Sequence, residues 1–137
     1  MRIYVTASFS RREEVVGVTM ELIQAGHEVT SSWALDESPS RAFPGNAEDL
    51  EINCAKALVN LKEIDRSDML ICLGDKEYVR GGKHFETGYG YAQGVKVYII
   101  GHAELMQHFL PNITILSDID AFYEEVGQVA AILSDKD

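Results

Sequence analysis

The chain has 137 residues, with 12 Lys and Arg against 22 Asp and Glu, and so a formal net charge of −10. That length fits one domain with a core of its own, and 46% hydrophobic with 25% charged residues is globular rather than disordered composition. The acid excess argues against nucleic acid and against an anionic membrane surface, because both are held mainly by clustered Lys and Arg; a small anionic ligand needs only two or three local cations.

Ile3 to Thr6 reads as a strand. Ser10 to Gln24 reads as a helix, with Val15, Val18, Leu22 and Ile23 near helical spacing and Gly26 as its stop. Glu28 to Trp33 is a second predicted strand, followed by a polar loop over 34–46 that is long enough to serve as a binding loop. Glu48 to Ile64 is a helix and Met69 to Leu73 a buried strand. Gly81 to Gln93 is a helix entered through glycines, and Val95 to Ile100 is a strand ended by Gly101. A short helix over 103–109 precedes a last strand, Ile113 to Leu116. A last helix, Ala121 to Leu133, has Ser117 and Asp118 as caps. Strands alternating with helices predict an α/β fold. The expected form is a single doubly wound, Rossmann-like or flavodoxin-like domain over 1–137, with a mainly parallel sheet of about five strands.

No apolar run approaches the roughly 20 residues of a membrane span, and Met1 to Val5 is too short and β-like for a signal peptide. Cys54 and Cys72 have no CxxC spacing and read as two buried thiols in a reducing, cytoplasmic setting. His27 and His108 have no partner at ligand spacing, so no metal site is expected.

In a doubly wound sheet the ligand sits beyond the carboxyl ends of the strands. The densest signal there is Arg80 to Gly94, which holds five of the eleven glycines. Gly costs about 1 kcal/mol against Ala inside a helix, so Gly88 and Gly90 imply close approach of another element or a ligand. Gly81 and Gly82 leave helix-start N–H groups free for an anion, and Arg80, Lys83 and His84 add local positive charge. Glu86 is either a carboxylate favoured by the helix dipole or a nucleophile or base in the pocket.

Ser8, Ser10, Arg11 and Arg12 stand where the first strand meets the first helix. They can hold a phosphate or sugar. Equally, Ser10 can cap the helix and the arginines can pair with Glu13 and Glu14. Trp33 and Phe43 could stack on a base or anchor the loop. Asp75, Tyr78 and His102 follow strands and so lie in pocket position.

Three segments carry a resemblance: Ile3-Tyr4-Val5-Thr6-Ala7-Ser8, Ser67-Asp68-Met69-Leu70-Ile71, and Gly81 to Ala92 with Gly94-Val95-Lys96-Val97. Together they resemble the nucleoside 2-deoxyribosyltransferase family, which includes hydrolases of deoxynucleoside or pyrimidine nucleoside 5′-monophosphates. The resemblance spans roughly residues 2–101. It implies that Glu86 attacks the anomeric carbon and forms a glycosyl-enzyme intermediate, with Tyr4 beside it. It implies a 5′-phosphate held by the loop of Ser8, Ser10, Arg11 and Arg12, a nucleoside or nucleotide as ligand, no cofactor, and a homodimer or higher homo-oligomer.

Two positions depart from that pattern. Asn60 replaces an aspartate that positions or protonates the leaving base, and an amide is no acid. Glu63 and Asp65 are near it but read as lying on other helical faces. Arg80 stands where many transferases carry an aspartate, which hints at an anionic substrate. A phosphoribohydrolase or NAD-cleaving enzyme, or a non-catalytic nucleotide-binding module, are the other readings of the same residues.

Overall fold

The computed structural model describes residues 1–36, 46–77 and 81–135. Its strands are β1 (Arg2–Thr6), β2 (Glu28–Val29), β3 (Met69–Leu73), β4 (Lys96–Ile100) and β5 (Ile113–Leu116). Its helices are α1 (Arg12–Gln24), α2 (Ala47–Asp65), α3 (Gly82–Ala92) and α4 (Ile119–Asp135). All four strand pairings are parallel, and the sheet order is β2-β1-β3-β4-β5. The chain therefore has the expected α/β architecture. The order reverses between β1 and β3, the switch point where open sheets form their crevice.

The period-2 alternation of the strands builds two cores. Ile3 and Val5, Met69, Ile71 and Leu73, and Tyr98 and Ile100 face one side, where Val15, Val18 and Leu22 of α1 and Phe122 and Val126 of α4 cover them. Tyr4, Leu70, Cys72, Val97 and Ile99 face the other, under Ile64 of α2, with Tyr89 and Tyr91 of α3 packed alongside. Burying a Leu or Ile of this kind contributes about 1.5–3 kcal/mol.

Local chemistry explains where elements begin and end. Asn46 and Asp49 form a reciprocal capping box at the start of α2. Asp118 accepts from the Ala121 N–H at 2.9 Å, as a cap of α4 should. Ser10 does not cap α1; a single 3-10 turn over Phe9–Arg11 leads into that helix with no side-chain cap.

The second strand is shorter than Glu28 to Trp33. Thr30 still donates its N–H to Ile3 O at 2.8 Å. Beyond it, side chains replace the ladder: Ser31 Oγ accepts from the Val5 N–H at 3.1 Å, and Trp33 Nε1 donates to Val5 O at 2.7 Å. With Val5 satisfied in this way, the chain is free to turn at Trp33–Leu35.

Two glycines answer to close approach. A Cβ on Gly90 would meet the Leu70 side chain at 3.0 Å, so α3 lies tight on β3. A Cβ on Gly74 would lie 1.9 Å from the His102 carbonyl, which brings the exits of β3 and β4 together. Gly88 meets nothing within 4 Å. Cys72 is buried as expected, but Cys54 is exposed on α2, because little of that helix before Glu63 reaches the sheet. No helix among the described residues is long and apolar enough to cross a membrane.

Candidate active site

Tyr4 and Thr6 are two apart on β1 and so point to the same face of the sheet. Glu86 reaches them from the second turn of α3. The Tyr4 hydroxyl donates to Glu86 Oε2 at 2.9 Å, and the Thr6 hydroxyl donates to Glu86 Oε1 at 2.8 Å. The Asn60 side chain of α2 supplies a third hydrogen bond. One half-buried carboxylate is thus held by three elements at the switch point of the sheet.

Its electrostatics follow from that setting. Burial pushes the Glu86 carboxyl above its ordinary value; the hydrogen bonds from Thr6, Tyr4 and Asn60 work against this, and the nearby Glu63 charge adds to it. Tyr4 is pushed far above the usual phenol range, by burial first and by the Glu86 charge next, so it remains a neutral donor. No Lys or Arg pairs with Glu86 among the described residues. The arrangement presents an oriented carboxylate, with no cation paired to it among the described residues, at the switch point of the sheet.

The structure brings Tyr4, Asn60 and Glu86 together and adds Thr6, which the sequence reading missed. The signal was available: Thr6 is the i+2 neighbour of Tyr4 on a strand. Glu63 is a correction. It lies three residues after Asn60, about 60° away around a helix, and so shares its face. It is buried, and its carboxylate accepts the Ser32 N–H at 3.1 Å.

The cations are arranged differently from expectation. Lys83 is turned inward, with its side chain fully covered. Its ammonium contacts Asp75 Oδ2 and Glu104 Oε2 at 2.5 Å each and Leu73 O at 3.4 Å, so its three donors are taken and none is left for a ligand. Arg11 grips both oxygens of Glu14 at 2.7 and 2.8 Å, and its Nη1 reaches Gly74 O at 2.9 Å and Asp75 at 3.3 Å. Arg12 does not pair with Glu13; its Nε donates to Ala34 O at 2.7 Å. The Ser8 and Ser10 hydroxyls bond each other at 3.1 Å.

His84 lies with Nε2 3.7 Å from Glu104 and its ring 5.7 Å from that of His108. Gly81 and Gly82 are exposed at the start of α3. Arg80, Tyr78 and Phe43 lie outside the described residues. Trp33 is the anchor of its turn through Val5 O. A cavity of about 180 Å³ lined by His84, Thr87, Gly88 and Tyr91 lies on the side of α3 turned away from Glu86, so this apolar hollow and the carboxylate do not coincide.

The sheet order defines a flavodoxin-like α/β fold, with the Glu86 carboxylate at its switch point. No family model matches the chain, and no curated protein matches it. Solved structures do. The Clostridium botulinum CMP N-glycosidase BcmB superposes with a TM-score of 0.59 at 18% identity, over 93% of this chain and 99% of that one. A 2-deoxyribosyltransferase from Bacillus psychrosaccharolyticus superposes with a TM-score of 0.56 at 20% identity, over 77% of each chain. Both names fall within the grouping that the sequence motifs resemble, and at these identities the likeness is one of fold.

Proposed function

We propose that the protein is an enzyme that cleaves or transfers at the N-glycosidic bond of a (deoxy)nucleoside or nucleoside 5′-monophosphate, with Glu86 as nucleophile. The observation that carries this reading is the Glu86 carboxylate fixed by Tyr4 and Thr6 at the sheet's switch point. Opening an N-glycosidic bond passes through an oxocarbenium-like state, which an adjacent carboxylate stabilises and then captures as a glycosyl ester. The Tyr4 and Thr6 hydroxyls hold one oxygen each, so attack needs little reorganisation. As negative charge leaves the carboxylate for the new ester bond, both hydrogen bonds weaken together. The same bonds regain strength when the ester breaks, which favours turnover of the intermediate. A fold shared with an N-glycosidase and a deoxyribosyltransferase supports the reading.

On this reading the Ser8 and Ser10 hydroxyls and the N–H groups at Gly81 and Gly82 bind the far end of such a substrate. Arg11, Arg12 and Lys83 would act by holding the loops around it. Leu50, Leu58 and Val59, exposed along α2, support the expected homo-oligomer; light scattering on the purified chain tests it.

The test is a panel of deoxy- and ribonucleosides and their 5′-monophosphates, with and without a second free base, followed by chromatography. Base release or exchange that is lost in Glu86→Gln is the expected result. Turnover untouched by that substitution would refute the mechanism.

A further inference from the structure

The cations that a 5′-phosphate would need are answered from within the protein. Arg11 makes four hydrogen bonds from its five N–H groups: two to Glu14 at 2.7 and 2.8 Å, one to Gly74 O at 2.9 Å and one to Asp75 at 3.3 Å. Lys83 is fully covered, with its ammonium 2.5 Å from both Asp75 and Glu104. Arg12 is drawn to the Ala34 carbonyl, and Ala34 packs into the core on the face of the sheet opposite Tyr4.

The balance of charge is also adverse. Two cations, Arg11 and Lys83, stand against three carboxylates, Glu14, Asp75 and Glu104, so the cluster carries two minus three, or −1. The fork of Arg11 holds the Glu14 carboxyl below its ordinary range. Burial opposes ionisation of Asp75, but Lys83 and Arg11 outweigh it and hold that carboxyl low as well. Lys76, exposed next along the chain, is offset by its exposed neighbour Glu77.

The cluster stands at the end of the sheet that a substrate must enter. Thr6, which holds Glu86, pairs in register with Cys72. Gly74 is two residues farther on, about 7 Å beyond that level, and Lys83 is about one turn before Glu86 on α3. A phosphate monoester brings about two negative charges to such a place and would compete with three internal carboxylates for the same donors. A 5′-hydroxyl brings none, and the Ser8 and Ser10 hydroxyls, 3.1 Å apart, can both donate to it and accept from it. We propose that the substrate is a nucleoside with a free 5′-hydroxyl, and that the Arg11–Asp75–Lys83–Glu104 cluster discriminates against the 5′-monophosphate. This rests on the reading of Glu86 as nucleophile, with the far end of the substrate towards Ser8 and Ser10.

The test measures kcat/KM for matched pairs of nucleosides and their 5′-monophosphates at low and high salt. Calorimetry on Glu86→Gln gives Kd for the same pairs without turnover. The expected result is a kcat/KM about 10- to 100-fold higher for the nucleoside, the same order of preference in Kd, and a ratio that narrows as salt screens the repulsion. Glu14→Gln, at a side chain that is 52% exposed, removes one negative charge and loosens the hold on Arg11. It leaves nucleoside turnover unchanged and raises kcat/KM on the monophosphate by about 3- to 10-fold. A wild type that prefers the monophosphate overturns the inference, as does a nucleoside preference that neither salt nor Glu14→Gln reduces. In both cases activity that is lost in Glu86→Gln leaves the reading of Glu86 standing. Turnover that survives Glu86→Gln, or a wild type inert on every pair, brings down that reading and this inference with it, so the two failures are distinguishable.

Discussion

Lys83→Met tests the buried charge cluster that sets the start of α3. In the wild type one ammonium, itself out of solvent, bridges Asp75 and Glu104, whose side chains are 16% and 12% exposed. Burial opposes ionisation of Asp75, but the bond and charge of Lys83, with Arg11 behind them, hold it below the usual carboxylate range. Removing one partner of a buried ion pair costs about 3–5 kcal/mol, because the remaining charge is left uncompensated. Here Asp75 keeps Arg11 at 3.3 Å and Glu104 keeps the Asp75 N–H at 3.1 Å, so the lower end applies, about 3 kcal/mol. For a domain of this size that lowers Tm by about 10 °C. Urea unfolding followed by the fluorescence of Trp33, the single tryptophan, reads the loss directly. The deficit has a pH signature. A carboxyl with a depressed folded value contributes stability above its unfolded value, about pH 4, and loses it as pH falls through the folded value. The gap between variant and wild type is therefore widest at neutral pH and narrows below about pH 4. Adding Glu104→Gln to Lys83→Met recovers part of the loss at pH 7. A deficit under about 1 kcal/mol at pH 7, or one that does not narrow in acid, would refute the electrostatic account and leave only packing.

Gly90→Ala and Gly88→Ala form a matched pair on α3. Gly90→Ala loses about 1 kcal/mol despite better helix propensity, because its Cβ crowds Leu70 in the core, whereas Gly88→Ala gains up to about 1 kcal/mol where nothing stands in the way; thermal melts of the two separate the effects, and equal shifts would contradict the packing. Glu86→Gln raises stability by about 1 kcal/mol at pH 7, the trade expected if Glu86 is the nucleophile proposed above. The sign follows from a carboxyl whose folded value is raised: the wild type loses stability as pH rises through that value, so the two proteins converge in acid and part towards neutrality.

The switch-point geometry was legible because it depends on periodicity. Ile3/Val5 against Tyr4, and Leu70/Cys72 against Met69/Ile71/Leu73, sort onto two faces by alternation alone, and the apolar spacing of Val15, Val18 and Leu22 marks α1 as a covering helix. The position of Glu86 against the sheet was legible for a similar reason, since it sits early in a glycine-flanked helix that follows β3. Thr6 and Glu63 were equally open to inspection, one being i+2 on the strand from Tyr4 and the other i+3 on the helix from Asn60.

What the chain order could not supply was the partner of each charged group. Lys83, Arg11 and Arg12 carry the same charge and stand near the same crevice in sequence, yet one is buried between two carboxylates, one is forked onto Glu14 and the end of β3, and one is bonded to a carbonyl after β2. The length of β2 was decided in the same way, by Ser31 and Trp33 taking the hydrogen bonds of Val5. Periodicity along the chain fixes which face a side chain occupies, because it is a local property of helix and strand. Which partner it meets there depends on contacts between residues as far apart as Thr6 and Glu86, and only the packed sheet brings those within hydrogen-bonding reach.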